Sequence, residues 1–164
     1  MSKFLLLKLE NFYQVLYLLP EIALTTQIVV RLKRIFGEQV GIYHSKFSDN
    51  ERVEVWKSIV EGKYPFVVGV RSSVFLPFKN LGLIIIDEEH ETSFKQADPA
   101  PRYHARDVAI RLGDITGATI ILASATPDIL SYYRADEGSY ELVSLPRRVM
   151  GHRLRIESIE ERAG

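Results

Sequence analysis

The chain has 164 residues, 46% of them apolar, and its 21 Lys and Arg balance 21 Asp and Glu. That is one ordinary domain with material for a core, and any affinity for nucleic acid must come from local basic patches rather than global charge. Cysteine is absent, which excludes disulfides and thiolate zinc sites within the chain, and no apolar run approaches the roughly 18 residues of a membrane span. The opening MSKFLLLKLENFYQ is apolar only over residues 4–7, too short for a signal peptide, so a reducing cytoplasm is expected.

Residues 15–19 are a short apolar run ending at Pro20, which predicts a buried strand. Leu24, Ile28, Leu32 and Ile35 then recur at helical spacing until Gly37 stops the pattern. Residues 40–43 predict a second strand. Ser48 and Glu51 have the spacing of a capping box, opening a helix that turns Val55, Ile59 and Val60 inward and ends at Gly62. Residues 66–70 and 83–86 predict two more apolar strands. ADPAP at 97–101 is turn-rich and argues against a helix. Residues 103–112 return to helical spacing, with Ala105, Val108, Ala109 and Leu112 on one face. Residues 119–123 predict a fifth strand, 127–134 a helix with Pro127 at its first position, and 140–145 a last strand.

Strands apolar on both faces, alternating with helices, predict an α/β fold with a mostly parallel sheet covered on both sides. Ligands in such folds bind beyond the carboxyl ends of the strands. The residues there are Pro20-Glu21, His44-Ser45, Arg71-Ser72, Asp87-Glu88-Glu89-His90 and Ser124-Ala125-Thr126, all sets polar or charged.

The stretch LIIIDEEH is the most informative. Three adjacent carboxylates repel each other unless a positive charge offsets them. Magnesium suits the task because it prefers oxygen ligands and keeps several waters. In nucleotide hydrolysis one carboxylate faces the metal and a second orients the attacking water. That division assigns Asp87 to the metal and Glu88 to the water. A solvated helix start is the simpler assignment for Asp-Glu taken alone; the second polar strand end, Ser124-Ala125-Thr126, favours the chemical one. His44, His104 and His152 show no metal-ligand spacing around His90.

DEEH after one apolar strand and SATP after the next resemble motifs II and III of superfamily 2 helicases. LPEIALTTQ (19–27), GVRSSVFLPF (69–78), DEEHETSFKQADPAPRYHARDVA (87–109) and ASATPDIL (123–130) resemble one bacterial family within it, the replication-restart helicases. The resemblance runs from about Val15 to the end, and PRYHARD is its most specific stretch. It implies a RecA-like (P-loop NTPase-like) lobe truncated at its N-terminus. Residues 1–14 do not match, 15–145 form part of helicase lobe 1, and 146–164 lead towards a second lobe.

Residue by residue, the resemblance implies that Thr25, Thr26 and Gln27 touch the nucleic-acid backbone; a helix cap and first turn is their simpler assignment. Gly69, Arg71 and Ser72 resemble motif Ib, where the family's threonine is replaced by Val70; Arg71 would reach a phosphate, or else pair with a nearby acid. Asp128 is a second small departure. Residues 91–107 resemble an aromatic-rich loop that senses single-stranded DNA, with Phe94 and Tyr103 stacking on bases and Lys95, Gln96, Arg102 and Arg106 contacting the strand. Packing of Phe94 and Tyr103 on the core is the simpler assignment. His90 would hydrogen-bond Ser124 and Thr126, coupling motif II to motif III.

The implied activity is ATP-dependent DNA unwinding with Mg2+, with Asp87 and Glu88 at the nucleotide. The implied substrate is branched, fork-like or single-stranded DNA, translocation is 3′ to 5′, the partners are primosome and single-strand-binding proteins, and the compartment is the bacterial cytoplasm. Zinc is expected only in the second lobe. The phosphate loop G-x-x-x-x-G-K-[ST] does not occur in the sequence, and no glycine precedes Gly37. The expectation is therefore a fragment that is inactive alone, its three carboxylates partly solvated and idle. A non-catalytic binding module on a helicase scaffold, and another superfamily 2 motor, remain as alternatives.

Overall fold

Five parallel strands form the central sheet: β1 (Gln14–Leu18), β2 (Val40–Tyr43), β3 (Phe66–Gly69), β4 (Leu81–Asp87) and β7 (Thr119–Ala123), in the order β2-β3-β1-β4-β7. A computed structural model describes residues 13–44 and 46–145; Ser45 and the segments 1–12 and 146–164 lie outside the described residues. The expected α/β, mostly parallel architecture is observed. The chain divides into two units, Met1–Ile129 and Leu130–Gly164.

In the first unit β4 has a strand on each side. Leu16, Tyr17 and Leu18 of β1 pair with Ile84, Ile85 and Ile86, and Asp87 pairs with Ala123 of β7. The second pairing sets Glu88 to His90 beside Ser124 to Thr126. Alternate side chains of each strand feed opposite faces, so both must be apolar. One face packs Val15, Tyr17, Val68, Leu83 and Ile85 against Leu32 of helix α1 (Thr26–Phe36). The other packs Leu16, Leu18, Val67, Ile84 and Ile86 with Ile59 of helix α2 (Asp49–Val60) and Ala105 and Ala109 of helix α3 (Ala105–Thr116). Burying each such large aliphatic side chain contributes about 1.5–3 kcal/mol.

The capping box is present: Ser48 Oγ accepts from Glu51 N–H, and Glu51 Oε2 accepts from Ser48 N–H at 2.8 Å. Ile59 is wholly buried and Val55 packs beside it. The apolar stripe expected on α1 is corrected. Leu24 is buried but precedes the helix, and Ile35 is exposed; Phe36 takes its place, its ring edge-on to Phe66 at 4.8 Å.

Three further expectations are corrected. Tyr103 and His104 are not helical; they form strand β6 (Tyr103–His104), antiparallel to β5 (Lys95–Gln96). Helix α4 spans Ile129–Asp136 rather than starting at Pro127; just before it the Asp128 N–H donates to Glu89 Oε1 at 2.7 Å. Residues 140–145 form no strand: Leu142, Val143 and Leu145 are exposed, and an apolar run without a partner ladder has nothing to pair with. In this second unit Tyr140 N–H donates to Arg134 O, and its hydroxyl accepts from Arg134 Nη1 at 2.7 Å.

Candidate functional site

β4 ends at Asp87, and the chain turns at once. Glu88 has φ +50°, a left-handed conformation uncommon for a residue with a Cβ. The turn is held by Glu91 N–H to Glu88 O at 2.8 Å and by Glu89 N–H to Ala123 O at 3.1 Å. It leaves the Asp87 and Glu88 side chains half-exposed at the carboxyl end of the sheet and folds Glu89 inward.

Both oxygens of Asp87 are held. Tyr17 donates its hydroxyl to Oδ2 at 2.6 Å, and Glu88 N–H donates to Oδ1 at 3.1 Å. The Tyr17 ring is nearly buried and stacks on Phe66. Burial, then the hydrogen bond to Asp87 and the charges of Asp87 and Glu88, push its phenol above the ordinary tyrosine range. Tyr17 therefore stays a neutral donor. Sequence reasoning missed it; the only signal was a phenol within an apolar strand, since a buried hydroxyl needs a partner.

Glu89 departs from the expectation of three partly solvated carboxylates. It is 1% exposed, with Oε2 2.9 Å from Arg106 Nη1 and Oε1 accepting from Asp128 N–H. Arg106 also lies 3.2 Å from Asp128 Oδ1, and its side chain is only 11% exposed. Its guanidinium, expected at DNA phosphates, is placed inside, tying α3 to the residues after β4 and β7. Burial by itself would lower its pKa, but the hydrogen bond to Glu89 and the charges of Asp128, Glu89 and Asp107 together outweigh that effect and raise it. No sequence signal marked this cluster, because Glu89 and Arg106 stand 17 residues apart.

His90 meets both partners expected of it. Nδ1 lies 2.7 Å from Ser124 Oγ and Nε2 3.5 Å from Thr126 Oγ1, while Ser124 Oγ also accepts from Thr126 N–H at 2.9 Å. Glu88 Oε2 is 3.6 Å from the same Nδ1. One imidazole thus touches the Glu88 carboxylate and both hydroxyls after β7.

The residues assigned to DNA fall into two groups. Thr25, Thr26 and Gln27 are exposed at the start of α1, where Thr25 Oγ1 caps the helix by accepting from Ile28 N–H. Beside them runs an open groove of about 660 Å³ that Lys33, His44 and Lys46 also line. The other group surrounds the β5–β6 hairpin. Lys95 and Arg102 are exposed and line a shallow groove with Gln96 and Tyr103. Gln96 Nε2 donates to the Pro99 and Pro101 carbonyls, bracing the loop. Arg71 Nη1 donates to Ser93 O, Ser72 is half-buried, and Tyr103 is half-buried with its phenol pushed up chiefly by burial. Phe94, expected to stack on bases, is 1% exposed and anchors the loop in the core.

Among the described residues no group of three or more His, Asp or Glu side chains is placed to hold a metal ion. The Asp87 carboxylate has the chemistry to take magnesium: each oxygen accepts one hydrogen bond and keeps a further lone pair, and magnesium would draw its remaining ligands from phosphate and water.

The family model described as DEAD/DEAH box helicase matches residues 2–133. Replication restart protein PriA of Bacillus subtilis (strain 168) is 49% identical over 141 residues, covering 86% of this chain and 17% of that protein. Its counterpart in Chlamydia pneumoniae is 48% identical over 131 residues, covering 80% of this chain and 18% of that one. The chain thus spans less than a fifth of either relative. Among solved structures, the S. cerevisiae Dbp5 C-terminal domain bound to Gle1 and IP6 superposes with a TM-score of 0.53 at 18% identity, covering 84% of this chain and 78% of that one. The DUF1998 helicase MrfA bound to DNA and AMPPNP gives 0.51 at 22% identity, covering 79% and 18%. At that identity the likeness concerns the fold alone.

Proposed function

Because the chain belongs to the DEAD/DEAH box helicase family, we propose that it is part of the first motor lobe of an ATP-dependent DNA helicase that restarts stalled replication forks. The observation that carries the reading is the contact of His90 with Ser124, which joins the acidic turn after β4 to the hydroxyl turn after β7.

Asp87 would hold the magnesium of Mg-ATP, and that ion, when bound, neutralises charge on the phosphates. The Tyr17 hydroxyl and Glu88 N–H fix the direction in which the Asp87 carboxylate points. Glu88, presented by its left-handed backbone, orients the attacking water and accepts its proton. His90 senses that carboxylate and passes its position to Ser124 and Thr126. Thr25, Thr26, Gln27, Arg71, Ser72, Lys95, Gln96, Arg102 and Tyr103 make up the DNA side. Phe94 and Arg106 support it from within.

On this reading residues 15–145 belong to the lobe and 146–164 lead out of it. The whole protein acts in the bacterial cytoplasm on branched or single-stranded DNA with primosome and single-strand-binding partners, any zinc lying in the second lobe. Among the described residues no helix is long and apolar enough to cross a membrane. The sequence carries no G-x-x-x-x-G-K-[ST], so the 164-residue chain alone does not turn ATP over. Unwinding of a labelled fork by the complete gene product tests the reading. The wild type should unwind with ATP and Glu88→Gln should not; equal unwinding would favour a lobe with no catalytic part.

A further inference from the structure

We propose that Phe75 and Tyr103 together form a stacking platform for the bases of single-stranded nucleic acid, a binding element in which Phe75, not Phe94, is the working phenyl ring. The proposal rests on the DNA-binding reading above and names the surface that carries it.

The turn after β3, Arg71–Phe75, is a short 3-10 helix. Ser73 and Val74 are buried, and so is Leu76 just after it, yet Phe75 between them is 53% exposed. A phenyl ring turned out of a segment whose neighbours all turn in forgoes on the order of 1 kcal/mol of burial. It is not an isolated surface ring. The Tyr103 ring lies 5.0 Å away at an interplanar angle of 78°, an edge-to-face contact that fixes both rings relative to each other. Arg71 leans on Tyr103 and donates to the Ser93 carbonyl, and buried Phe94 pins the same loop from beneath. The turn after β3 and the β5–β6 hairpin, remote in sequence, thus share one braced aromatic surface.

Charge says what that surface takes. Tyr103 lines the shallow groove with exposed Lys95 and Arg102. Across residues 95–104 Asp98 is the one acid against those two cations, in a chain whose net charge is zero. Aromatic faces flanked by Lys and Arg match the alternating bases and phosphates of a single strand. The platform asks for no particular base, since every base has a π-face.

The test is fluorescence anisotropy of a labelled oligo-dT titrated with the complete gene product at low salt. Stacking on one base predicts that Phe75→Ala weakens binding about 5- to 100-fold. Phe75→Trp should bind at least as tightly as the wild type, and Phe75→Leu should bind as weakly as Phe75→Ala, because the contact needs a π-face rather than apolar area. An abasic strand of the same length should not distinguish wild type from Phe75→Ala. Thermal melts should be alike, since the ring is half exposed. Wild-type binding with an unchanged Kd in Phe75→Ala, or full retention by Phe75→Leu, overturns the platform and leaves the DNA reading standing. No binding by the wild type overturns both.

Discussion

Arg106 Nη1 lies 2.9 Å from Glu89 Oε2 and 3.2 Å from Asp128 Oδ1, so one guanidinium joins the acidic turn after β4, the start of α3 and the segment after β7. Glu89 is 1% exposed, and removing Arg106 takes away the guanidinium 2.9 Å from its buried carboxylate. Arg106→Leu should cost about 3–5 kcal/mol in urea denaturation. Adding Glu89→Leu should restore part of it, because the buried carboxylate is then gone, while Asp128 still loses its ion pair and the acceptor for its N–H. A cost under about 1 kcal/mol for Arg106→Leu would place the guanidinium at the surface instead.

Tyr17 and Asp87 make a second long-range pair. The phenol's folded pKa lies above its ordinary 10.0, so the stability it contributes is complete below that pH and is lost as pH rises further. The wild type should therefore weaken more steeply on the alkaline side of pH 10 than Tyr17→Phe does. At neutral pH the Tyr17→Phe change should cost about 1.5–3 kcal/mol, the range for a hydrogen bond to a charged group. Urea midpoints on both sides of pH 10 check both statements.

The backbone of Glu88 predicts a separation of stability from activity. At φ +50° a Cβ costs about 1–2 kcal/mol, and glycine returns that less about 0.5–1 kcal/mol of chain entropy. Glu88→Gly should thus be as stable as the wild type or up to about 1.5 kcal/mol more stable, whereas Glu88→Ala keeps the strain and gains nothing. Thermal melts of the two variants decide it.

His104 caps α3, its Nδ1 accepting from Arg106 N–H. Burial, then the charge of Arg106 with a smaller push from Lys95, holds its pKa below the ordinary 6.5, against the pull of Asp107 and Asp128. A base with a depressed folded pKa contributes stability that is whole above its unfolded pKa and lost as pH falls through the folded one. Protonation also removes the capping lone pair, a loss on the order of 1 kcal/mol. Acidification from neutral pH should weaken the wild type more than His104→Asn, which caps without titrating.

What was legible in the sequence was local. β2 and β7, the two edge strands, were readable to the residue, because each is a short, largely apolar run closed by a polar residue, His44 and Ser124. The Ser48 cap was readable because its partner Glu51 stands three residues away. The contact of His90 with Ser124 was expected only from the resemblance to motifs II and III; in the structure the pairing of Asp87 with Ala123 sets the two turns side by side. Non-local facts were not readable. The β5–β6 hairpin has two residues per strand, too few for a period to register. Glu89 and Tyr17 depend on partners 17 and 70 residues away. Phe94 and Phe75 look alike in sequence, and only the packed structure shows the first inside and the second out.

The central claim is that Asp87 and Glu88 are the hydrolytic end of a DNA-driven motor. The measurement that tests it most directly is single-stranded-DNA-stimulated ATP hydrolysis by the complete gene product carrying Glu88→Gln. The account predicts that DNA raises turnover in the wild type, and that the substitution lowers the stimulated rate by about 10²- to 10⁴-fold while the chain still folds. Stimulated turnover at the wild-type rate in Glu88→Gln would contradict it.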